Sequence, residues 1–366
     1  MKRILIVQPF GIGDSLFVTP LIRTLKERGM AERVDMLLGS RTREVFERNP
    51  LIDRIFVIDR DKLKRQGLFR TFFEIGGLIF RLLKIRYHVL IDCSLSREYA
   101  FFARFFLAIP ERIGFDYKKR GIFLSRKLSL PAGFSGKPVA EHYAELLRFL
   151  EITEVDCHPQ FFFRAEDDTR RGKILSDCGI REGEAYIAVV PGGGDSWGKD
   201  ASFKRWPPVF FAQVLNAFRS RFPAKMVIVL GSGGEFRLGE ELLEAYEGKG
   251  VNLCGKISLV DSAAVLKGAR YLLANDSGMV HIARSLDVPC VAIYGPVDEK
   301  VYGPYPRGPA YLAIGRSDLD CRPCYKNFRY HSNCLHRSCL RELSPAEVIQ
   351  RVYQSDFFSV VSSRKS

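Results

Sequence analysis

The sequence predicts an α/β protein made of two Rossmann-like halves, each a parallel sheet interleaved with helices. Three observations carry this. Short apolar runs alternate with amphipathic stretches twice along the chain, the order that builds parallel sheets. In each half an apolar run, residues 4–7 and 271–274, gives way to a polar turn with glycine and then to a helical pattern. The two turns are Gly11-Ile12-Gly13-Asp14 and Asn275-Asp276-Ser277-Gly278, and open α/β sheets bind ligands at such places. Finally, 366 residues with 46% hydrophobic and 12% aromatic content are enough for two cores. Two crevices from two halves of one chain suggest an enzyme that works between two domains.

Taken in order, the first strand is predicted over 3–8, where Ile4, Leu5, Ile6 and Val7 run unbroken. Helix 15–28, strand 33–38, helix 43–48, strand 55–58, helix 68–84, strand 87–92 and helix 97–107 follow from the switching apolar period. Residues 113–163 are less regular and contain a turn-rich stretch from Pro131 to Pro138. The alternation restarts with strands at 185–190, 225–230, 270–274 and 290–294, and helices at 209–221, 235–246, 259–267 and 279–285. Ser344-Pro345-Ala346-Glu347 opens a last helix to 353, with Ser as cap, Pro first inside and Glu three residues on. The expected division is an N-terminal domain over 1–170, a C-terminal domain over 171–343 with a cysteine-rich loop at 321–339, and a terminal helix in 344–366.

The start of the chain lacks the long apolar run and cleavage site of a signal peptide. Arg81, Lys84 and Arg86 interrupt the longest apolar segment before it reaches membrane-spanning length. The expected location is cytoplasmic. Net charge is +14, and residues 60–137 hold 17 Lys/Arg against 6 Asp/Glu, most of that excess. Such a segment suits a polyanion, either anionic membrane headgroups or a phosphorylated glycolipid. A solvated surface that aids solubility is the alternative. Nucleic acid is not supported, since no zinc-finger spacing, ribonucleoprotein aromatic motif or basic zipper is present.

Four glycine-bearing turns follow strands. The first fails the dinucleotide fingerprint, because Leu16 stands where a third glycine belongs. It places Asp14 at a helix start, either as a plain cap or as a carboxylate base. The second, Pro191-Gly192-Gly193-Gly194, lets backbone amides converge on an anion, with Lys199, Lys204 and Arg205 downstream. No Gly-Lys-Ser/Thr follows, so it is not a P-loop. The third, residues 231–235, offers Glu235 to a ribose hydroxyl. The fourth puts Asp276, Ser277 and Gly278 at a helix start, where unpaired amides hold phosphate, with His281 one and a half turns on.

Nine cysteines fall into two sets. Cys93, Cys157, Cys178, Cys254 and Cys290 are scattered and read as small buried hydrophobes. Cys321, Cys324, Cys334 and Cys339 cluster, with His331 and His336 between them. A C-x2-C pair followed by two more cysteines points to a structural zinc or iron, and a redox-sensitive or disulfide-linked loop is the alternative.

These motifs together resemble glycosyltransferase family 9, the bacterial heptosyltransferases of the lipopolysaccharide inner core. The matching segments are Ile4-Leu5-Ile6-Val7 with Gly13-Asp14-Ser15-Leu16, then Lys204-Arg205-Trp206-Pro207, residues 231–235, Asp276-Ser277-Gly278-Met279-Val280-His281-Ile282-Ala283, and Val291 to Pro296. The resemblance spans nearly the whole chain. It implies a GT-B glycosyltransferase, two Rossmann-like domains with the active site in the cleft between them. It also implies an acceptor-binding first domain, a nucleotide-sugar-binding second domain and a final helix free to cross back to the first domain. Residue by residue it implies Asp14 as catalytic base beside Gly13, and Lys204 on the phosphates. Glu235 would meet the ribose, backbone near Ile257 the adenine, and Asp276, Ser277 and Gly278 the diphosphate, with His281 close by. The implied donor is ADP-heptose and the implied acceptor an anionic lipid A-type glycolipid, reached by a protein peripheral to the inner face of the cytoplasmic membrane. Displacement of ADP needs a base for the acceptor hydroxyl and positive groups for the departing diphosphate. Asp14 supplies the first; Lys204, the helix start and the Gly192, Gly193 and Gly194 amides supply the second, so no metal is required for catalysis. A nucleotide-binding scaffold without activity would not need Asp14, and a nucleotide-dependent oxidoreductase would need the missing glycine fingerprint.

Overall fold

A computed structural model of the chain describes residues 1–363, apart from 331–333 and 335; the side chains of 61, 64, 68, 195–197 and 199 lie outside the description. Two compact units divide at Phe162/Phe163. Each contains a six-stranded sheet, and every strand pair recorded within the two sheets is parallel.

The first unit contains β1 (Lys2–Gln8), β2 (Ala31–Gly39), β3 (Arg54–Ile58), β4 (Val89–Asp92), β5 (Glu111–Asp116) and β6 (Arg126–Ser129). Their order is β3-β2-β1-β4-β5-β6. The central strands β1 and β4 are apolar because helices cover both faces of a parallel sheet; Ile4, Ile6, Val89 and Ile91 are fully buried. One face carries a core of Leu5, Val7, Leu90, Ala100 and Ile109. The edge strand β6, Arg-Lys-Leu-Ser, keeps its charges in solvent, a common guard against edge pairing.

The second unit contains β7 (Tyr186–Val190), β8 (Met226–Val229), β9 (Gly250–Asn252), β10 (Leu272–Asn275), β11 (Cys290–Tyr294) and β12 (Tyr311–Gly315). Their order, β12-β11-β10-β7-β8-β9, repeats that of the first unit when counted from β7. Its core joins Trp206, Phe211, Phe218 and Tyr271 to Val348, Val352, Phe357 and Phe358 from helices Pro345–Tyr353 and Phe357–Ser363. Those closing helices therefore pack on the second sheet, where the sequence left them free to cross back. The division at 162/163 also differs from the expected 170/171. Helix Ala165–Asp177 belongs to the second unit, where Arg170 pairs with Asp261 at 2.8 Å and Lys267 with Asp168 at 3.3 Å.

Candidate active site

Ligand crevices in such sheets open where the strand order reverses. In the second unit that place is the C-terminal ends of β7 and β10, which are hydrogen-bonded neighbours. β10 ends in the buried Asn275, whose side chain ties three segments together. Nδ2 donates to the Pro191 carbonyl at 2.6 Å, and Oδ1 accepts from the Trp206 amide at 3.1 Å. The buried Trp206 indole donates in turn to the Leu343 carbonyl at 2.9 Å. The segment holding Lys204 and Arg205 is thus fixed immediately on its C-terminal side.

Lys204 Nζ stands 2.7 Å from Asp276 Oδ2, and both side chains are 8% exposed. Each charge compensates the hydration the other has lost. The Asp276 carboxylate therefore faces a cation, and what it offers an anion is the lysine it holds in place. Ser277 takes an extended N-cap backbone (φ −156°), yet its hydroxyl does not cap helix Gly278–Ser285; Oγ is buried without a hydrogen-bond partner among the described residues. His281 lies within the same helix and is buried. Burial pushes its imidazole down to about 4, Asp276 pulls it upward and Lys204 presses it further down. It is neutral at pH 7.

The glycines after β7 are dictated by these neighbours. A β carbon on Gly192 would lie 1.8 Å from Glu235 Oε1, and one on Gly193 would lie 2.9 Å from Lys204 Cβ. Gly194 has φ +73°, which costs glycine little. Glu235 itself is buried and clips two loops together. Oε1 accepts from the Gly194 amide at 2.9 Å, and Oε2 accepts from the Ser232 amide at 2.9 Å and its hydroxyl at 3.2 Å. An ionised carboxylate has roughly four acceptor positions, and the described residues fill three of them, which leaves one for a further hydroxyl. Ile257 is half-buried in the loop between β9 and helix Leu259–Lys267. That loop runs beside the 231–235 turn, because the Gly255 amide donates to the Gly231 carbonyl at 2.9 Å. Lys199 lies outside the described side chains.

In the first unit Gly13 and Asp14 sit in the short helix Ile12–Leu16, directly after β1. The Gln8 amide donates to the Asp14 carbonyl at 3.2 Å and to the Tyr143 hydroxyl at 2.9 Å, holding the turn against helix Val139–Glu145. At the end of the neighbouring β4 lies Asp92, a group the sequence reading did not single out. Its Oδ1 accepts from the Ser94 amide at 2.9 Å, while Oδ2 is buried with no partner among the described residues. Burial pushes this carboxyl up to about 6. The available signal was an aspartate closing an apolar strand; Asn275 gave the same signal on β10.

The cysteine cluster is placed differently from a ligand cage. Cys321 is exposed, Cys324 and Cys334 are half-buried and Cys339 is buried. The Cys324 thiol faces the Cys321 carbonyl at 3.1 Å, and the Cys334 sulfur accepts the Arg337 amide at 3.4 Å. Burial, then Cys324 and the other cysteines, push the Cys339 thiol up to about 11. The four share a neighbourhood, but no group of three or more His, Cys, Asp or Glu among the described residues is placed to hold a metal ion. The expected ligand set of Cys321, Cys324, Cys334 and Cys339 is not assembled as such, and His331 lies outside the described residues. Of the scattered cysteines, Cys93, Cys157, Cys254 and Cys290 are buried as expected, whereas Cys178 is half-exposed.

The model of glycosyltransferase family 9 (heptosyltransferase) matches residues 76–333. The chain belongs to glycosyltransferase family 9. It is therefore a glycosyltransferase of the heptosyltransferase family, and the matched residues include Lys204, Glu235 and the Asp276–His281 segment but not Gly13 or Asp14. Among relatives, lipooligosaccharide heptosyltransferase 2 of Campylobacter jejuni is 24% identical over 355 residues, covering 95% of this chain and 97% of the relative. Among solved structures, Escherichia coli ADP-heptose lps heptosyltransferase II aligns with a TM-score of 0.72 at 20% identity, over 99% of this chain and 100% of that one. The E. coli heptosyltransferase WaaC with ADP-2-deoxy-2-fluoro heptose aligns with a TM-score of 0.68 at 17% identity, over 96% and 99%. The family 9 fold thus accounts for both sheets of this chain.

Proposed function

We propose that the chain transfers heptose, with inversion, from ADP-L-glycero-D-manno-heptose to the lipopolysaccharide inner core, either Kdo-lipid A or its heptosylated extension. The observation that carries this reading is the company kept by Lys204. Its ammonium, the buried Ser277 hydroxyl, a helix start and the Gly192–Gly194 turn lie together beyond the ends of the neighbouring strands β7 and β10. That set suits a diphosphate, and the ADP-sugar named for the WaaC structure supports an ADP-linked donor. In this reading the remaining acceptor position of Glu235 takes a ribose hydroxyl and the backbone near Ile257 lies along the adenine.

Asp14 is proposed to take the proton from the acceptor hydroxyl as that oxygen attacks the anomeric carbon. The bond to the diphosphate breaks on the opposite face, and Lys204 with the helix amides stabilises the charge gathering there. His281, neutral at pH 7, serves as a hydrogen-bonding wall of the site. These groups do the work of a cation, so the route uses no metal. The basic 60–137 segment suits an acceptor that is an anionic glycolipid and supports a peripheral position at the inner face of the cytoplasmic membrane.

The decisive pair of measurements is ADP-heptose affinity and turnover in Asp14→Asn. The amide keeps the shape but accepts no proton, so affinity should stay near that of the parent while turnover falls about 10²–10⁴-fold. Parent-like turnover would remove Asp14 from the mechanism. Tighter binding of a different nucleotide sugar would move the donor to that sugar.

A further inference from the structure

Helix Leu68–Leu83 in the first unit has two apolar faces where the fold uses one. Leu78 and Leu82 point into the core beneath. At about 100° per residue, Phe69, Phe72, Phe73, Phe80 and Leu83 share a separate stripe roughly 100° wide. Those five are 76%, 73%, 61%, 59% and 42% exposed. Phe105 and Phe106, at the end of helix Glu98–Phe105, are also exposed. Single exposed apolar residues are ordinary, but four phenylalanines and a leucine on one exposed face of a helix mark a partner.

The charge around it says which partner. Between Arg60 and Arg86 there are eight Lys/Arg against two Asp/Glu. Lys84 Nζ lies 4.4 Å from the centre of the Phe80 ring, and the Arg104 guanidinium lies 5.1 Å from that of Phe105. Cations bordering phenylalanines are the composition of a helix lying in the interface of an anionic bilayer. A second copy of the chain would bring the same positive charge against this face. Stacked nucleobases would need open ring faces, whereas Phe73 meets both Phe69 and Phe72 edge-on, at 4.8 and 6.0 Å.

We infer that helix Leu68–Leu83 is a membrane-insertion element, which sinks Phe69, Phe72, Phe80 and Leu83 among lipid chains while the surrounding cations meet anionic headgroups. This deepens the proposed function, resting on its lipid-linked acceptor, by adding an apolar anchor to electrostatic attraction.

The test uses the full chain and vesicles of equimolar phosphatidylglycerol and phosphatidylcholine. Binding of the parent should weaken with salt yet persist at about 0.5 M, where exposed charges are screened within several Å. The Phe69→Ser, Phe72→Ser, Phe80→Ser triple variant leaves every charge in place, and should lose vesicle affinity by more than about tenfold with an unchanged melting temperature. A Phe72→Trp variant should show blue-shifted emission on vesicles, quenched by lipids brominated on their acyl chains. Equal vesicle binding by parent and triple variant, or indole emission from the Phe72→Trp variant that brominated lipids leave unquenched, would overturn the inference. So would a parent that is dimeric by light scattering and a triple variant that is monomeric, with vesicle binding the same. Turnover on a deacylated, water-soluble acceptor separates this from the functional reading. Insertion predicts the same turnover in parent and triple variant, whereas absence of turnover in both, with vesicle binding as expected, would overturn the transferase assignment and uphold insertion.

Discussion

Lys204 and Asp276 are each charged, each nearly buried and each dependent on the other. Removing one member of such a pair leaves an uncompensated charge, which typically costs about 3–5 kcal/mol. Asp276→Asn should therefore lower the unfolding free energy of the ligand-free protein by about 3 kcal/mol in urea titrations. ADP should restore more stability to the variant than it adds to the parent, because its phosphates supply the missing negative charge. An equal ADP effect in both would show that the diphosphate does not meet Lys204. Asp92 makes a pH-dependent contribution of the opposite kind. Its carboxyl titrates near 6 in the folded chain against an ordinary 3.8, chiefly through burial. The folded state thus holds the proton more tightly, and stability is lost as pH rises from about 4 through 6. That difference corresponds to roughly 2–3 kcal/mol. Asp92→Asn keeps the acceptor for the Ser94 amide, so the variant should be more stable than the parent at about pH 8, and the gap should close towards about pH 4. A gap of the same size at both pH values would assign the effect to packing.

The elements legible in the sequence were those buried on both faces. β1, β7 and β11 read as unbroken apolar runs because helices cover them above and below. The strands not anticipated lie toward the sheet edges: β6 is charged, β9 is the three-residue Gly-Val-Asn, the charged ends of β5 interrupt its apolar middle, and the edge strand β12, Tyr-Leu-Ala-Ile-Gly, was passed over although it is mostly apolar. Helix 15–28 was expected as one piece and forms as Ile12–Leu16 and Thr19–Glu27. Pro20, without an amide hydrogen, fits the first turn of a new helix better than the interior of a long one. The glycine turns were legible as turns, but their cause was not. Gly192 answers to Glu235, a contact between loops 43 positions apart that no local pattern encodes. The closing helix Phe357–Ser363 was missed as well, yet Phe357 is fully buried, with ring centres of Tyr271 and Phe358 at 5.8 and 5.9 Å. Phe357→Ala should cost about 3–5 kcal/mol. A loss below about 1 kcal/mol in chemical denaturation would mean that this helix is not part of the second core.

At the scale of the whole chain, two sheets of the same strand order each place polar groups where that order reverses. In the first unit β1 leads into the short helix that carries Asp14 and β4 ends at Asp92; in the second β7 leads into the glycine turn and β10 into Asp276, the partner of Lys204. The motif residues of the second unit could be read from sequence because each follows a strand. That Asp276 serves Lys204, and that Asn275 binds the turn to Trp206, required the fold. The proposed division of labour assigns proton removal to the first unit and the departing diphosphate to the second, so chemistry should depend on both substrates together. Release of ADP from ADP-heptose, followed with and without a Kdo-lipid A acceptor, tests this most directly. One ADP should be released per heptose transferred, only when acceptor is present, with a product of inverted anomeric configuration. ADP released at the same rate without acceptor, or a product of retained configuration, would contradict it.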